Sequence, residues 1–345
     1  MQLASSSWVT LLGDSERRGG NTGARSTAPK ELVWKVTLGD SIRSSPVLAD
    51  GVLFVTSRDG HLYALDARTG RERWKYNVAV GAHSTPSLSG DLVLFGCDDG
   101  ALYAVNRTSG ELRWKAQSEG AVWTSASIHR GTAYFGTDGG VFNAVDIIDG
   151  RPRWSRRFEG RIHSTAYATD DRVYFGCSDG GVYALEAATG VDAWHYQTGE
   201  GVTASPALMD GLVLVGSEDY VFYALDAKSG AVRWKFPTGL GLASSPAVTG
   251  GKVYFGGKDG HVYALTVADG REVWKSPSIR QITAAPVAGA SLLCVQAYGT
   301  TQAYDLNTGA RLWSASLGGS LGSTPIITDD SVYLATYPGV IYALR

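Results

Sequence analysis

An all-β chain, folded as an eight-bladed β-propeller of four-stranded antiparallel blades whose last blade is closed by the N-terminal strand, is the fold this sequence predicts. Tryptophans recur at positions 34, 74, 114, 154, 194, 234, 274 and 313, spaced by 40 residues except for a final 39. Short β-branched and aromatic runs fill each interval, broken by turns that carry Gly with Asp, Ser or Thr, and no useful helical periodicity appears. Periods near 40 that hold several short strands mark propeller blades. The repeat is also out of phase with the chain, which opens on a Trp strand without its lead-in and stops on a lead-in without its Trp.

Taken in chain order, residues 1–30 are a leader rich in Gly, Ser and Arg, and residues 31–345 form the single propeller. Residues 31–37 (ELVWKVT) read as a lone outer strand. Residues 41–319 hold seven complete four-strand units, and residues 320–345 hold three strands of an eighth. Pairing 31–37 with those three strands removes an open sheet edge and ties the two ends of the chain together.

One unit, residues 241–280, shows the reading. Ser244–Val248 is the first strand, Lys252–Gly256 the second, His261–Leu265 the third and Glu272–Lys275 the fourth. Lys258-Asp259-Gly260 and Ala268-Asp269-Gly270 supply turns. In the equivalent ALDARTGRERW of blade 1, Asp66 accepts hydrogen bonds from the turn that follows it and Gly70 takes a positive φ. Ala64 is small enough for a neighbouring blade to approach, and Trp74 supplies the apolar face for that approach.

Composition narrows the function. The net charge is −2 and no basic run of five appears, which gives no footprint for nucleic acid. The longest apolar stretches are strand-sized, so no transmembrane helix is expected. Cys97, Cys177 and Cys294 are an odd, scattered set and not a disulfide framework. With no recognisable signal peptide at the N-terminus, the expectation is a cytoplasmic monomer, or a periplasmic or extracellular protein if a signal was removed.

The A-x-D-x-x-x-G-x-x-x-W pattern resembles the tryptophan-docking repeat of the PQQ-like propellers, a family that includes quinoprotein alcohol dehydrogenases and BamB outer-membrane assembly lipoproteins. Residues 8–14 (WVTLLGD) also look like the lead-in to such arrays. The resemblance implies the fold. Quinone-dependent oxidation is the activity it would extend to, but the chain has neither an adjacent Cys pair nor a C-x-x-C-H motif. No cofactor is expected.

Function is sought where the blades disagree. Three residues before the Pro, or its equivalent, in each first strand stand Arg43, His83, Trp123, His163, Thr203, Ala243, Thr283 and Gly322. Antiparallel strands put this position on the same face as the hairpin between second and third strands. Arg43, His83, Trp123 and His163 should therefore share one channel mouth, as a ligand site. The hairpins rim that face with Arg58, Asp98, Asp138, Glu218, Tyr220, Lys258, Tyr298 and Tyr337. Asp59, Asp99, Asp179 and Asp259 read as turn formers.

His83 and His163 alternate with Cys97 and Cys177, but the cysteine position simply wants a small residue and the histidines stand on non-adjacent blades. No metal site is expected. His61, His129, His195 and His261 suggest no site. The leading expectation is a binding or scaffold propeller that presents the mouth and hairpin face to a protein partner or small ligand. The alternative is a cofactor-independent enzyme with His83 or His163 as base and Arg43 or Trp123 holding substrate.

Overall fold

The computed structural model describes residues 29, 31–289, 291–316, 323–328 and 330–345. Except for Pro29, the expected leader 1–30 lies outside the described residues, as does Gly322. Eight four-stranded antiparallel sheets form the blades. Blade 1 runs Val47–Ala49, Val52–Ser57, His61–Asp66 and Glu72–Asn77 from inside to outside. Blade 8 takes Ile326–Ile327, Val332–Ala335 and Val340–Leu344 from the C-terminal end and Leu32–Thr37 as its outer strand. Leu32 pairs with Leu344 and Thr37 with Val340, while Glu31 and Arg345 exchange backbone hydrogen bonds at 2.9 and 2.8 Å.

The second and third strands of each blade are buried on both faces between neighbouring blades. Outer strands alternate instead. In Glu72–Asn77 only Trp74 and Tyr76 turn inward, the period-2 pattern of a half-buried strand. The innermost strands are only two or three residues long, shorter than the sequence reading of Ser244–Val248. The Ser-Pro run ahead of them has another use. Pro has no N–H to give a ladder, and the residue before it, or before Ala166 in its place in blade 4, donates sideways around the channel. Ser205 N donates to Ser245 Oγ at 2.9 Å, Thr165 N to Ser205 Oγ at 2.9 Å, and Thr324 N to Ser45 Oγ at 2.8 Å across the split blade.

Blades dock through the tryptophans. Seven indoles, from Trp34 to Trp274, each donate to a backbone carbonyl in the next blade's outer turn at 2.8–3.2 Å. The surface they lie on is the turn glycine and not the small Ala64, which pairs with Trp74 inside its own blade. Asp66 builds that turn as expected, accepting from Arg68 N, Thr69 N and Thr69 Oγ1. Blade 8 has no such turn, because the junction of Glu31 and Arg345 stands in its place. Trp313 Nε1 has no acceptor among the described residues. Gln296 and Thr301, a cross-strand pair on the same blade, also keep buried side-chain polar atoms without partners there.

Candidate functional site

In blades 1 to 6 the hairpin between second and third strands is laced by backbone hydrogen bonds to the segment leading into an inner strand. Asp98 N donates to Gly81 O at 3.0 Å within blade 2, and Val122 N donates to Cys97 O at 2.9 Å across to blade 3. Hairpins and lead-in segments therefore share one face, as the antiparallel order requires.

On that face three variable residues meet. Trp123 of blade 3 stands between His83 of blade 2 and His163 of blade 4, with ring centroids 5.9 and 5.2 Å away. Its Nε1 donates to Asp98 Oδ1 at 2.7 Å, while His83 Nε2 donates to the other oxygen of the same carboxylate at 3.1 Å. On the far side His163 Nε2 donates to Asp138 Oδ1 at 2.9 Å, and the Arg161 guanidinium lies 3.5 Å from that oxygen. Since a carboxylate only accepts, both imidazoles carry their proton on Nε2.

Burial is the main cause that depresses the pKa of His83 below its usual value; Asp98 opposes this, and Arg43 and Arg58 reinforce it. The result is a neutral imidazole near pH 7 beside an indole that is still 39% exposed. An aromatic side chain fixed at its edge and flanked on two sides loses little rotamer freedom when a ligand covers it.

The remaining candidates divide into two further groups. Arg43 does not join the His–Trp–His cluster by contact; its Nη2 donates to Tyr337 Oη of blade 8 at 3.4 Å, with the guanidinium 5.5 Å from that ring's centroid. Glu218 and Lys258 form an ion pair between blades 5 and 6, with Nζ 2.6 and 2.8 Å from the two carboxylate oxygens. They line a cavity of about 750 Å³ together with Tyr220, Glu200, Leu240 and Gln281. Tyr298 of blade 7 stands apart, under the Arg280 guanidinium at 5.9 Å.

Tyr298, at φ +35°, and Tyr220 both lie in the left-handed region, and Tyr220 is the one that stands where most blades have Gly. It takes φ +71° where the equivalent Gly60, Gly100, Gly140, Gly180 and Gly260 take +77° to +90°, a region that costs a residue with a Cβ about 1–2 kcal/mol. Its side chain is 51% exposed all the same.

The turn-forming aspartates behave as expected. Asp59, Asp99, Asp179 and Asp259 each accept from a tyrosine hydroxyl four residues on, at 2.6–2.9 Å. Blade 3 has Gly139 at that place, so Asp138 corresponds to Asp98 and is free to serve His163. Leu240 and Glu200 escaped the sequence reading. They sit three residues ahead of the variable position, where Asp40, Val80, Gly120, Gly160 and Arg280 also disagree, so the same comparison moved three residues would have found them.

Among the described residues no group of three or more His, Cys, Asp or Glu is placed to hold a metal ion. Nor do the residues fit an anionic quinone: Arg43, the sequence-predicted cation for its carboxylates, is turned to Tyr337 of blade 8 and not to Trp123, the flat wall on which the ring would stack.

A family model described as outer membrane protein assembly factor BamB matches the chain over residues 16–128, 98–205, 198–285 and 258–345. Among curated proteins none matches. Solved structures match at the level of fold. BamB from Moraxella catarrhalis is 18% identical with a TM-score of 0.79, covering 91% of this chain and 99% of its own. A quinohemoprotein alcohol dehydrogenase, ADHIIG from Pseudomonas putida HK5, is 16% identical with a TM-score of 0.81, over 99% of this chain and 80% of its own. The computationally designed Ika8 protein reaches 0.83 at 17% identity, over 92% and 100%. A designed protein, an enzyme and an assembly factor superpose equally well, so the ring by itself does not distinguish activities.

Proposed function

Because this chain belongs to the family described as outer membrane protein assembly factor BamB, we propose that it is a rigid binding ring whose hairpin face docks a protein partner. The observation that carries this reading is Trp123, an exposed indole fixed by Asp98 between His83 and His163. Preorganised aromatic anchors ringed by polar groups are the usual centres of protein interfaces. Tyr220, Tyr298 and Tyr337, all more than two-fifths exposed, lie on the same face.

Membership in this family overturns the cytoplasmic expectation, since an outer-membrane assembly factor works in the cell envelope. The periplasmic alternative takes its place. The cysteines misled because all three are buried fillers. Cys97 Sγ donates to Gly81 O at 3.2 Å, and burial pushes the thiols of Cys97 and Cys177 up to about 11 and about 12. Such thiols are inert in either compartment.

Site-specific photocrosslinking tests the reading. A crosslinker at Tyr220 or Tyr298 should trap a discrete partner in cells of origin, and one at Ile148, on the opposite face, should not. Trp123→Ala should weaken capture of the purified partner at least about 30-fold, the weight of a 2 kcal/mol hot spot. Adducts from Ile148 alone would overturn it.

A second reading, the cofactor-independent enzyme, draws on one observation, the two Asp–His pairs beside one indole. An activity of the purified chain that His83→Gln or His163→Gln abolishes, with crosslinking intact, would favour it.

A further inference from the structure

The mouth is electrically uneven, and the unevenness lies where the two ends of the chain meet. Blade 1 contributes Arg43 from its lead-in segment and Arg58 from its hairpin; blade 8 contributes Tyr337 from its hairpin. Arg43 lies over the Tyr337 ring and donates to its hydroxyl. Both guanidiniums act on that hydroxyl, which they hold below the usual phenol range, with the Arg43 hydrogen bond as the largest cause.

Among the described residues neither Arg43 nor Arg58 has a carboxylate partner within ion-pair distance. Of the other cations of this face, Arg157 pairs with Glu119, Arg161 with Asp138 and Lys258 with Glu218, whereas Arg280 lies over Tyr298 in blade 7, next to blade 8, and has no carboxylate partner among the described residues. The two aspartates nearest Arg58 are already engaged. Asp40 Oδ1 accepts from Ser41 N, and Asp59 accepts from Gly39 N, His61 N and the Tyr63 hydroxyl. Two exposed guanidiniums that act on one phenol repel one another, and Asp40, which attracts Arg58 without pairing with it, offsets this only in part until an anion joins them.

We infer that Arg43, Arg58 and Tyr337 form a clamp for the carboxylate side chains of an acidic, extended segment of the partner protein. The inference rests on the proposed docking role and names the chemistry of what docks. A guanidinium fork matches a planar carboxylate in bidentate geometry, and the Tyr337 ring offers an apolar face to the methylene stem that carries it. The site is open to solvent and spread over two blades, which suits a chain laid across it rather than a small ion enclosed by it.

The far side of the ring completes the complementarity. Blade 5 stands four places from blade 1 in a ring of eight, so the two are diametrically opposed. Its cavity carries Glu200 and Glu218 with Tyr220 and Leu240, where only Glu218 is neutralised by Lys258. An acidic run is therefore drawn to blades 8 and 1 and turned away from blade 5. A segment crossing the mouth lies in one direction only.

Fluorescence anisotropy with a dye-labelled hexaglutamate peptide tests this on the full chain. The wild type should bind it, and Arg43→Gln combined with Arg58→Gln should weaken binding at least tenfold with an unchanged melting curve. Arg43→Lys with Arg58→Lys should recover part of the affinity but not all, because charge returns without the fork. Labelled hexalysine should not bind at blade 1. Inorganic phosphate in millimolar excess should leave the peptide bound; complete displacement would mean a site for free anions and would overturn the assignment to a peptide.

Equal binding of hexaglutamate by wild type and the double Gln variant also sinks the clamp. That result leaves crosslinking from Tyr220 and Tyr298 untouched, so failure of the clamp and failure of the docking face register in different experiments. Lys228→Gln, on the opposite face, should change nothing, and a loss there equal to that of the double variant would show non-specific attraction.

Discussion

Gly70 of blade 1 lies flat against Trp34 of blade 8, so closely that a methyl group on Gly70 would sit 2.7 Å from Cε3 of the indole. The contact explains why the repeat keeps Gly at this turn, and it can be separated from the glycine's backbone role. Gly51 has the same φ, +71° against +70°, yet a methyl there would meet nothing within 4 Å. Gly51→Ala should cost about 1 kcal/mol for the left-handed conformation. Gly70→Ala should cost about 1–3 kcal/mol more, from overpacking the blade seam. Equal losses in chemical denaturation would show that the Trp–Gly contact contributes nothing to docking.

Tyr220 should trade stability for binding. Tyr220→Gly places at φ +71° the residue that most other blades use, and it should stabilise the ring by about 1 kcal/mol. The same change should weaken partner capture several-fold by removing an exposed ring. A variant that is both less stable and fully able to bind would assign Tyr220 to folding alone.

The blade 7 and 8 seam carries a correctable defect. Gln296 is buried, with neither amide atom partnered among the described residues, and it faces Thr301 across the strand pair. Gln296→Met should raise stability by about 1–3 kcal/mol, the penalty of an unsatisfied buried polar group. A fall in melting temperature would mean that the amide is satisfied by bound water.

His83 gives the ring an acid limit. Its folded-state pKa lies below the unfolded value of about 6.5, chiefly through burial. The unfolded chain therefore takes up the proton first. This contribution is fully present above about pH 6.5 and is lost as pH falls through the lower folded value. Asp98 and Trp123 touch the imidazole, Arg43 and Arg58 oppose its charging through space, and Asp98 and Asp40 favour it. His83→Gln should flatten the decline in melting temperature between pH 6.5 and 5. An unchanged slope would assign the acid sensitivity elsewhere.

Much of the architecture could be read from the spacing of one residue type, because a blade cannot bury its faces alone and each copy must keep its docking parts. Trp34 and Tyr342-Ala343-Leu344 betrayed the split blade for the same reason. The inner strands are shorter than the Ser-Pro runs suggest, because the Ser or Thr before the Pro turns its N–H around the channel and the Pro has none to give. At the site, His83, Trp123 and His163 stood out as departures from a regular position, and their common mouth followed from strand direction. The pairing of Arg43 with Tyr337 joins residues 294 positions apart, and no periodicity announces a contact made across the closure. Leu240 leaves no mark at the position where the histidines depart, because it sits three residues ahead of it.

The pairing of Leu32 with Leu344 sets the order in which this protein comes into being. The strand Leu32–Thr37 has no partner until Val340–Leu344 has been made, so closure is the most distant strand pairing among the described residues and late to form. Until then blade 8 has an open third strand and the Trp34 strand has an apolar stripe without cover, both inviting aggregation or chaperone capture. A chain cut short at either end cannot settle for a smaller ring; it remains an arc with two reactive flanks. The split blade thus makes completeness a condition of solubility, and an unfinished molecule marks itself for removal.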